Sequence, residues 1–255
     1  MIHLNSRVRR ALLAVLILII IAHFGPSPAA EPTAADSDEP YLARCPHVAI
    51  AEAELKRHAR PPPPPIAHVT RPALQRELLL REQQDQQGRN ALFGKSLDKA
   101  AADAAAAFLV QVDASNLHRL LQIIRLDGLP TARMVGYDGV SAAWLLIQHS
   151  DTDPAFQERM LPLIEQRARR GELRLQEYAL LYDRVQVAHH KPQRYGSQFK
   201  QEGQDMVPGL TEDPSHLDVR RRAMGLLPMA DYQCALRTIY LPEAPDGQPS
   251  AVPTP

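Results

Sequence analysis

The sequence has no excess of either charge: 29 acidic residues balance 29 basic ones. No overall field therefore draws it to nucleic acid or to an anionic membrane surface. It also lacks the loops on which much cofactor and nucleophile chemistry depends. There is no phosphate-cradling glycine loop, no H-E-x-x-H pair and no G-x-S-x-G elbow. "DTDPAF" begins like a calcium loop but has neither its glycine nor its closing glutamate. His189 and His190 are adjacent, so on a helix they diverge by about 100° and cannot share one metal. No metal and no cofactor are expected. Alternating strand patterns of useful length and internal repeats are missing as well.

What is present begins with an N-terminus that reads as export. "NSRVRR" is basic, and the apolar run "ALLAVLILIII" falls short of the ~20 residues of a spanning helix. It fits the roughly 7–15 residues of a secretory core, and "SPAA" places Ser27 and Ala29 at cleavage positions. Residues 1–30 are expected to be a signal peptide or an uncleaved anchor that spans through residues 11–24. Arg7, Arg9 and Arg10 hold that end in the cytoplasm. The rest then faces outward, in the periplasm of a Gram-negative cell, and touches membrane only through an uncleaved N-terminus. In that oxidising setting Cys45 and Cys234, the only cysteines, can pair, or they can remain free thiols. Closing so long a loop is worth up to about 5 kcal/mol on the chain-entropy model.

Most prolines fall before Ala73 or after Leu241, which sets the expected organisation. Residues 31–69, with "PPPPP", read as a largely disordered Pro-rich spacer holding one short helix, "VAIAEAELKRHAR". Residues 70–241 read as the folded domain and residues 242–255 as a disordered tail. The fold class expected is all-α, a single compact domain of about six to eight helices. Pro72 opens a helix through "RPALQRELLLREQQDQQ", with Gly88 offering a stop. Ser115 reads as the cap of "SNLHRLLQIIRLDG". "SAAWLLIQH" follows a loop containing Pro130, Gly136 and Gly139. Asp153 caps "DPAFQERMLPLIEQRARRG", with Pro154 at its first position, Pro162 inside it and Gly171 ending it. "LRLQEYALLYDRVQVAHH" is apolar on nearly every side and is expected to be the central helix. The run "RRR" at Arg220 to Arg222 reads as a solvated helix face.

Candidate function lies where polar residues fall on apolar stripes. Leu74 and Leu78 define a face that Asp85 and Arg89 continue, His149 ends the stripe of Ala142, Leu145 and Leu146, and Asp183 sits between Leu180 and Val187 beside Arg184. Charges seldom enter a core unpaired, so these residues need partners. His149 lies at a helix C-terminus, where the dipole favours its protonated form, and Asp151 follows within reach as an acid/base partner. "QRYGSQ" packs hydrogen-bonding tips into six residues. It is either a turn tied by its own side chains or, as we read it, a loop facing His149 and the Asp183–Arg184 pair, with Arg194 in solvent.

The blocks "DQQGRN", "AAWLLIQHSDTDPAFQ", "LLYDRVQV", "KPQRYGSQ" and "EDPSHLDVRRRAMGLLPMADY" resemble, in this order, an uncharacterised bacterial domain-of-unknown-function family. The resemblance runs from about Leu74 to Tyr232, with "YGSQ" in place of the family's usual "YGTQ". It implies no activity. It does imply that Asp85, Arg89, His149, Asp183, Arg184, Gln193, Tyr195 and Gln198 belong together. Three readings stay open. One is an exported module binding a small polar ligand or an envelope protein, with Asp85, Arg89, Arg184, Gln193, Tyr195 and Gln198 as the binding residues. Another is a hydrolase with His149 as general acid/base, oriented by Asp151 or Asp183, and Arg184 or Arg89 as an anion clamp. The last is a structural module whose polar residues fix helix register.

Overall fold

The computed structural model describes residues 44–61, 63–93, 97–202 and 205–241. The signal or anchor segment, residues 31–43 of the spacer and the tail lie outside the described residues. Eight α-helices occur among the described residues: α1 Pro46–His58, α2 Pro72–Phe93, α3 Lys99–Asp127, α4 Ala132–Gln148, α5 Pro154–Arg169, α6 Leu175–Ala188, α7 Leu217–Ala223 and α8 Met229–Tyr240. One antiparallel hairpin, β1 Phe199–Glu202 with β2 Asp205–Pro208, lies between α6 and α7. None of the described helices is long and apolar enough to cross a membrane. The fold is all-α, as the helical periodicity predicts.

The helix at the centre is α4, not α6. "AAWLLI" is apolar all round, and its residues are buried against α2, α3, α5 and α6. The expectation for α6 fails at its end, where Val187 is 42% exposed. The face of α4 that carries Ser141 and Trp144 meets α6 at Glu177: Ser141 Oγ donates to the Glu177 carboxylate, and Trp144 Nε1 donates to the Glu177 carbonyl at 2.8 Å. Glu177 also accepts from the Arg174 backbone N–H at 2.6 Å, which caps α6. α4 begins earlier than "SAAWLLIQH" suggests: Thr131 caps a first short segment, and Gly136, non-helical at φ 73° and ψ 169°, makes the kink that joins it to the rest of the helix.

Two further helices outrun their expected limits. α3 starts at Lys99, capped by Asp98 at 2.8 Å from the Ala101 N–H, so Ser115 is mid-helix and not a cap. The alanine-rich run before it has the highest helix propensity available and contains no breaker. α2 runs through Gly88, which is buried where a Cβ would meet Leu109 Cδ2 at 2.7 Å. The glycine thus lets α2 and α3 approach closely and does not stop the helix. Asp153 does cap α5, accepting from the Phe156 N–H at 2.9 Å, and Gly171 ends it at φ 74°.

The spacer helix belongs to the core. Cys45, Val48 and Ala51 are buried, and Cys45 is disulfide-bonded to Cys234 of α8 with Cα atoms 6.0 Å apart. Pro64, in the polyproline run, accepts from the Tyr137 hydroxyl at 3.0 Å. The hairpin escapes sequence detection because each strand contributes one buried side chain, Phe199 and Met206, too few to show alternation. Phe199 packs edge-on against Tyr232 of α8, and Gln233 donates to the Met206 carbonyl, which holds a two-stranded unit that would be marginal alone.

Candidate functional site

The stripe of α2 delivers Asp85 and Arg89 against the C-terminus of α4. Asp85 is fully buried, and both its oxygens lie 2.8 Å from His149 Nδ1. Arg89 reaches the same carboxylate with Nε and Nη2, each at 3.2 Å, and Gln86 Nε2 adds a bond at 2.9 Å. Arg89 Nε also lies 3.0 Å from His149 Nδ1. Nδ1 cannot both accept from Arg89 and donate to Asp85. A lone pair held between two carboxylate oxygens would be repelled, so the proton is assigned to Nδ1 and donates to Asp85. The lone pair of His149 then sits on Nε2, which is buried and has no hydrogen-bond partner.

Electrostatics keeps the imidazole neutral. Burial, followed by the cations Arg89 and Arg184, lowers its proton affinity below the ordinary value, and Asp85 opposes this only in part. The helix C-terminus therefore does not yield the protonated histidine that the dipole alone suggests. Burial pushes the Asp85 carboxyl up, but His149 and Arg89 outweigh it and hold the group at about 2. While the imidazole is neutral its contribution is the Nδ1–H bond, and the charge beside Asp85 is that of Arg89.

From spacing alone His149 is expected to pair with Asp151, with Asp151 or Asp183 as its orienter. The structure gives that position to Asp85. Asp151, in the turn after α4, takes Arg184 instead, with its two oxygens 2.6 and 2.7 Å from Nη1. Arg184 Nε is buried without a partner. Asp113 of α3 completes the cluster, accepting from Arg89 Nη2 at 2.7 Å. Burial, with the charges of Asp85 and Asp151, outweighs Arg89 and pushes Asp113 up to about 7. Asp113 lies on the buried stripe of α3 with Leu109, Asn116 and Leu120, but a helix begun at Ser115 leaves it out.

Gln148 is a further buried polar residue at this end of α4. Its side chain is wholly buried and neither amide atom has a partner. It lies one turn beyond Trp144 on the face of α4 that meets α6, and Arg184 lies two turns beyond Glu177 on α6. Both therefore fall at the same end of that interface. Gln157 of α5 secures this end by donating to the Ile147 and Gln148 carbonyls and to Asp151.

Asp183, Gln193, Tyr195 and Gln198 form a second arrangement. Asp183 points its carboxylate into the "QRYGSQ" loop and accepts from the backbone N–H groups of Arg194, Tyr195 and Ser197 at 2.8, 3.0 and 2.8 Å. Burial raises its proton affinity, and those three amides pull it back. Gln193 folds onto Gln198, donating to its carbonyl and accepting from its N–H, while Gln198 Nε2 reaches the Leu180 carbonyl and Ser197 Oγ. Arg221 holds the loop from the other side, with Nη1 on the Tyr195 carbonyl at 2.7 Å and Nε on that of Leu227. Arg220 donates to the Arg194 carbonyl. The "RRR" run is a solvated face only in part: Arg222 is exposed, but Arg221 is fully buried, its guanidinium 4.8 Å from the Tyr232 ring centre. Gly196 takes φ 60°, and a Cβ there would meet Met229 Cε at 2.5 Å. Tyr195 packs edge-on against Tyr182, and Arg194 pairs with Glu212 at the surface. The loop is a turn tied by its own and neighbouring side chains.

A groove of about 460 Å³ lies elsewhere, at the N-terminal end of α2, and includes Arg71, Glu77, Arg119 and Asp127. Its α2 residues, from Pro72 to Glu77, stand roughly two to four helical turns before Asp85, and Arg71 and Arg119 are paired with Asp127 and Glu77. Among the described residues no three His, Cys, Asp or Glu side chains gather as a metal site.

Fold and cluster together define an all-α domain with a buried Asp–His–Arg centre and a separately stapled loop. The chain belongs to the DUF6624 family, a family of unknown function, which it matches over residues 72–242. No curated protein and no solved structure matches it.

Proposed function

We propose that this is an exported envelope protein whose Asp85–His149 centre binds a small polar ligand. The observation that carries this reading is the buried, tautomer-fixed Nε2 of His149, a hydrogen-bond acceptor left without a partner. A buried polar atom without a partner costs about 1–3 kcal/mol, and folded proteins satisfy nearly all such atoms. Here Arg184 Nε and the Gln148 amide are in the same condition at the same end of the bundle. Asp85 sets the imidazole and Arg89 fixes Asp85, so the polar edge is preorganised for a ligand that donates to Nε2. The Asp151–Arg184 pair flanks it. Gln193, Tyr195 and Gln198 support the reading only through the loop that buttresses α6.

The test is the stability of Gln148→Met in urea, with His149→Ala alongside. If the orphaned amide is kept for a ligand, Gln148→Met unfolds at higher urea, by about 1 kcal/mol. A loss of about 2 kcal/mol or more would make the amide part of the scaffold and return the cluster to a structural role. A second reading rests on the same dyad. A carboxylate on Nδ1 and a bare Nε2 make a general base, with Arg89 and Arg184 beside it to stabilise developing negative charge. In that case Asp85 is the orienter, and His149→Ala abolishes turnover while the fold persists.

A further inference from the structure

The two arginines of the centre have counter-ions of different kinds. Asp85 is sealed in and engaged by Arg89, His149 and Gln86. Asp113 and Asp151 reach solvent, with 21% and 30% of their side chains exposed, while the guanidinium side chains they hold are only 10% and 5% exposed. These two carboxylates are close enough for Asp151 to hinder ionisation of Asp113. Two partly exposed carboxylates thus cover two buried cations at the solvent edge. Arg184 engages Asp151 through Nη1 alone and leaves Nε unpartnered, although guanidinium and oxyanion commonly meet through two parallel N–H bonds. Nε2 of His149 is an unpartnered acceptor of the same centre, and it repels any anion oxygen that lacks a proton.

We propose that the ligand is a small oxyanion carrying its own hydrogen-bond donor, with hydrogen phosphate as the simplest case, and that it enters by replacing Asp113 and Asp151 on Arg89 and Arg184. This rests on the small-polar-ligand reading and specifies its chemistry. The oxyanion takes the guanidinium N–H groups, its hydroxyl donates to Nε2, and the Gln148 amide lies at the same level of the α4–α6 interface. Asp85 stays in place, because displacing it would bury a carboxylate without its partners. Discrimination should be strong, since a site built to receive a ligand O–H leaves buried groups unpaired when the O–H is missing.

The experiment is calorimetric titration of the full chain at pH 7 with phosphate and with sulfate at matched ionic strength. Sulfate has the same shape and no proton to donate. Glycolate against acetate repeats the contrast for a carboxylate ligand and separates a phosphate site from a hydroxy-acid site. Phosphate or glycolate should bind at least tenfold more tightly than its partner lacking the donor, a lower bound for a missing hydroxyl. Asp113→Asn, which removes a competing carboxylate, should tighten binding, and His149→Phe should erase the preference. Equal binding of each pair overturns the inference, because Nε2 then reads no donor. Absence of binding by all four anions overturns it as well. Neither result changes the outcome of the Gln148→Met melt, which judges the underlying reading independently.

Discussion

Replacing Asp85 by Asn keeps the shape of the side chain and removes its charge from the centre of the cluster. The carboxylate receives Arg89 at 3.2 Å on each oxygen, His149 Nδ1 at 2.8 Å and Gln86 at 2.9 Å, with no access to water. An amide offers one acceptor where all these donors converge and turns its own N–H₂ toward the others. Arg89 keeps only Asp113, at 2.7 Å, and loss of the Asp85 charge, one of the causes that push that carboxyl up, favours its ionised form. Linkage gives the order of magnitude of the loss. A carboxyl held at about 2 against an ordinary 3.8 stabilises the fold by about 2 kcal/mol. Because that value is depressed in the folded state, the contribution is complete above pH 3.8 and disappears as pH falls through about 2. The buried donors of Arg89, His149 and Gln86 that lose a carboxylate raise the expected loss to about 3–5 kcal/mol, the usual consequence of breaking a buried ion pair. For a domain of this size that lowers the melting temperature by roughly 10 °C. Urea unfolding at pH 7 measures it, and nitrogen NMR of His149 checks the premise, since the wild-type imidazole should carry its proton on Nδ1. A loss below about 1 kcal/mol, or a wild-type histidine protonated on Nε2 alone, would refute the reasoning.

Other outcomes can be stated more briefly. Asp113 and Glu82 are both pushed up to about 7, chiefly by burial, so their contributions are complete near pH 4 and lost as pH rises through about 7. Asp113→Asn should therefore gain in melting temperature relative to wild type between pH 5 and pH 8, while Glu82 and His149 cancel in the comparison. A flat or falling difference would contradict the placement of Asp113. Asp183→Ala strands three backbone N–H groups and should destabilise by about 3 kcal/mol, with faster hydrogen exchange at Arg194, Tyr195 and Ser197. Gly196→Ala forces a side chain into φ 60° against Met229, at a cost of about 1–2 kcal/mol in thermal melts. Reducing Cys45–Cys234 opens a loop with a sequence separation of 189, and the urea midpoint should fall by the equivalent of about 2–5 kcal/mol. An unchanged midpoint would mean that α1 does not contribute to the cooperative fold.

How legible the centre was varied residue by residue. Asp85 and Arg89 could be found because charge on an apolar stripe is visible wherever the helix is placed correctly. Asp113 obeys the same rule on α3, and a cap placed 17 residues too late, at Ser115 and not at Asp98, hides it. Gln148 left a weaker signal, since an amide beside an apolar run looks like an ordinary helix end. "QRYGSQ" raised the right question about its hydrogen-bonding groups, yet its residues could not say that Gln193 would bond Gln198 and Asp183 would take three amides. The burial of Arg221 had no local signal: in sequence it is one arginine in a charged run.

The sequence by itself determined what depends on neighbours within a few turns. Helical periodicity excluded a sheet protein, Asp153 and Gly171 set the limits of α5, and the stripes named Asp85, Arg89, His149 and Asp183 as residues that must find partners. Only the tertiary structure decided who those partners are. His149 meets a carboxylate 64 positions away and not Asp151 two positions on, because α2 packs along α4 and carries Asp85 to its C-terminus. Asp183 and Arg184, adjacent in the chain, diverge by about 100° around α6 and so enter different clusters. Side-chain direction is local and periodic, but pairing depends on how helices cross, and that is settled by the packing of the whole core.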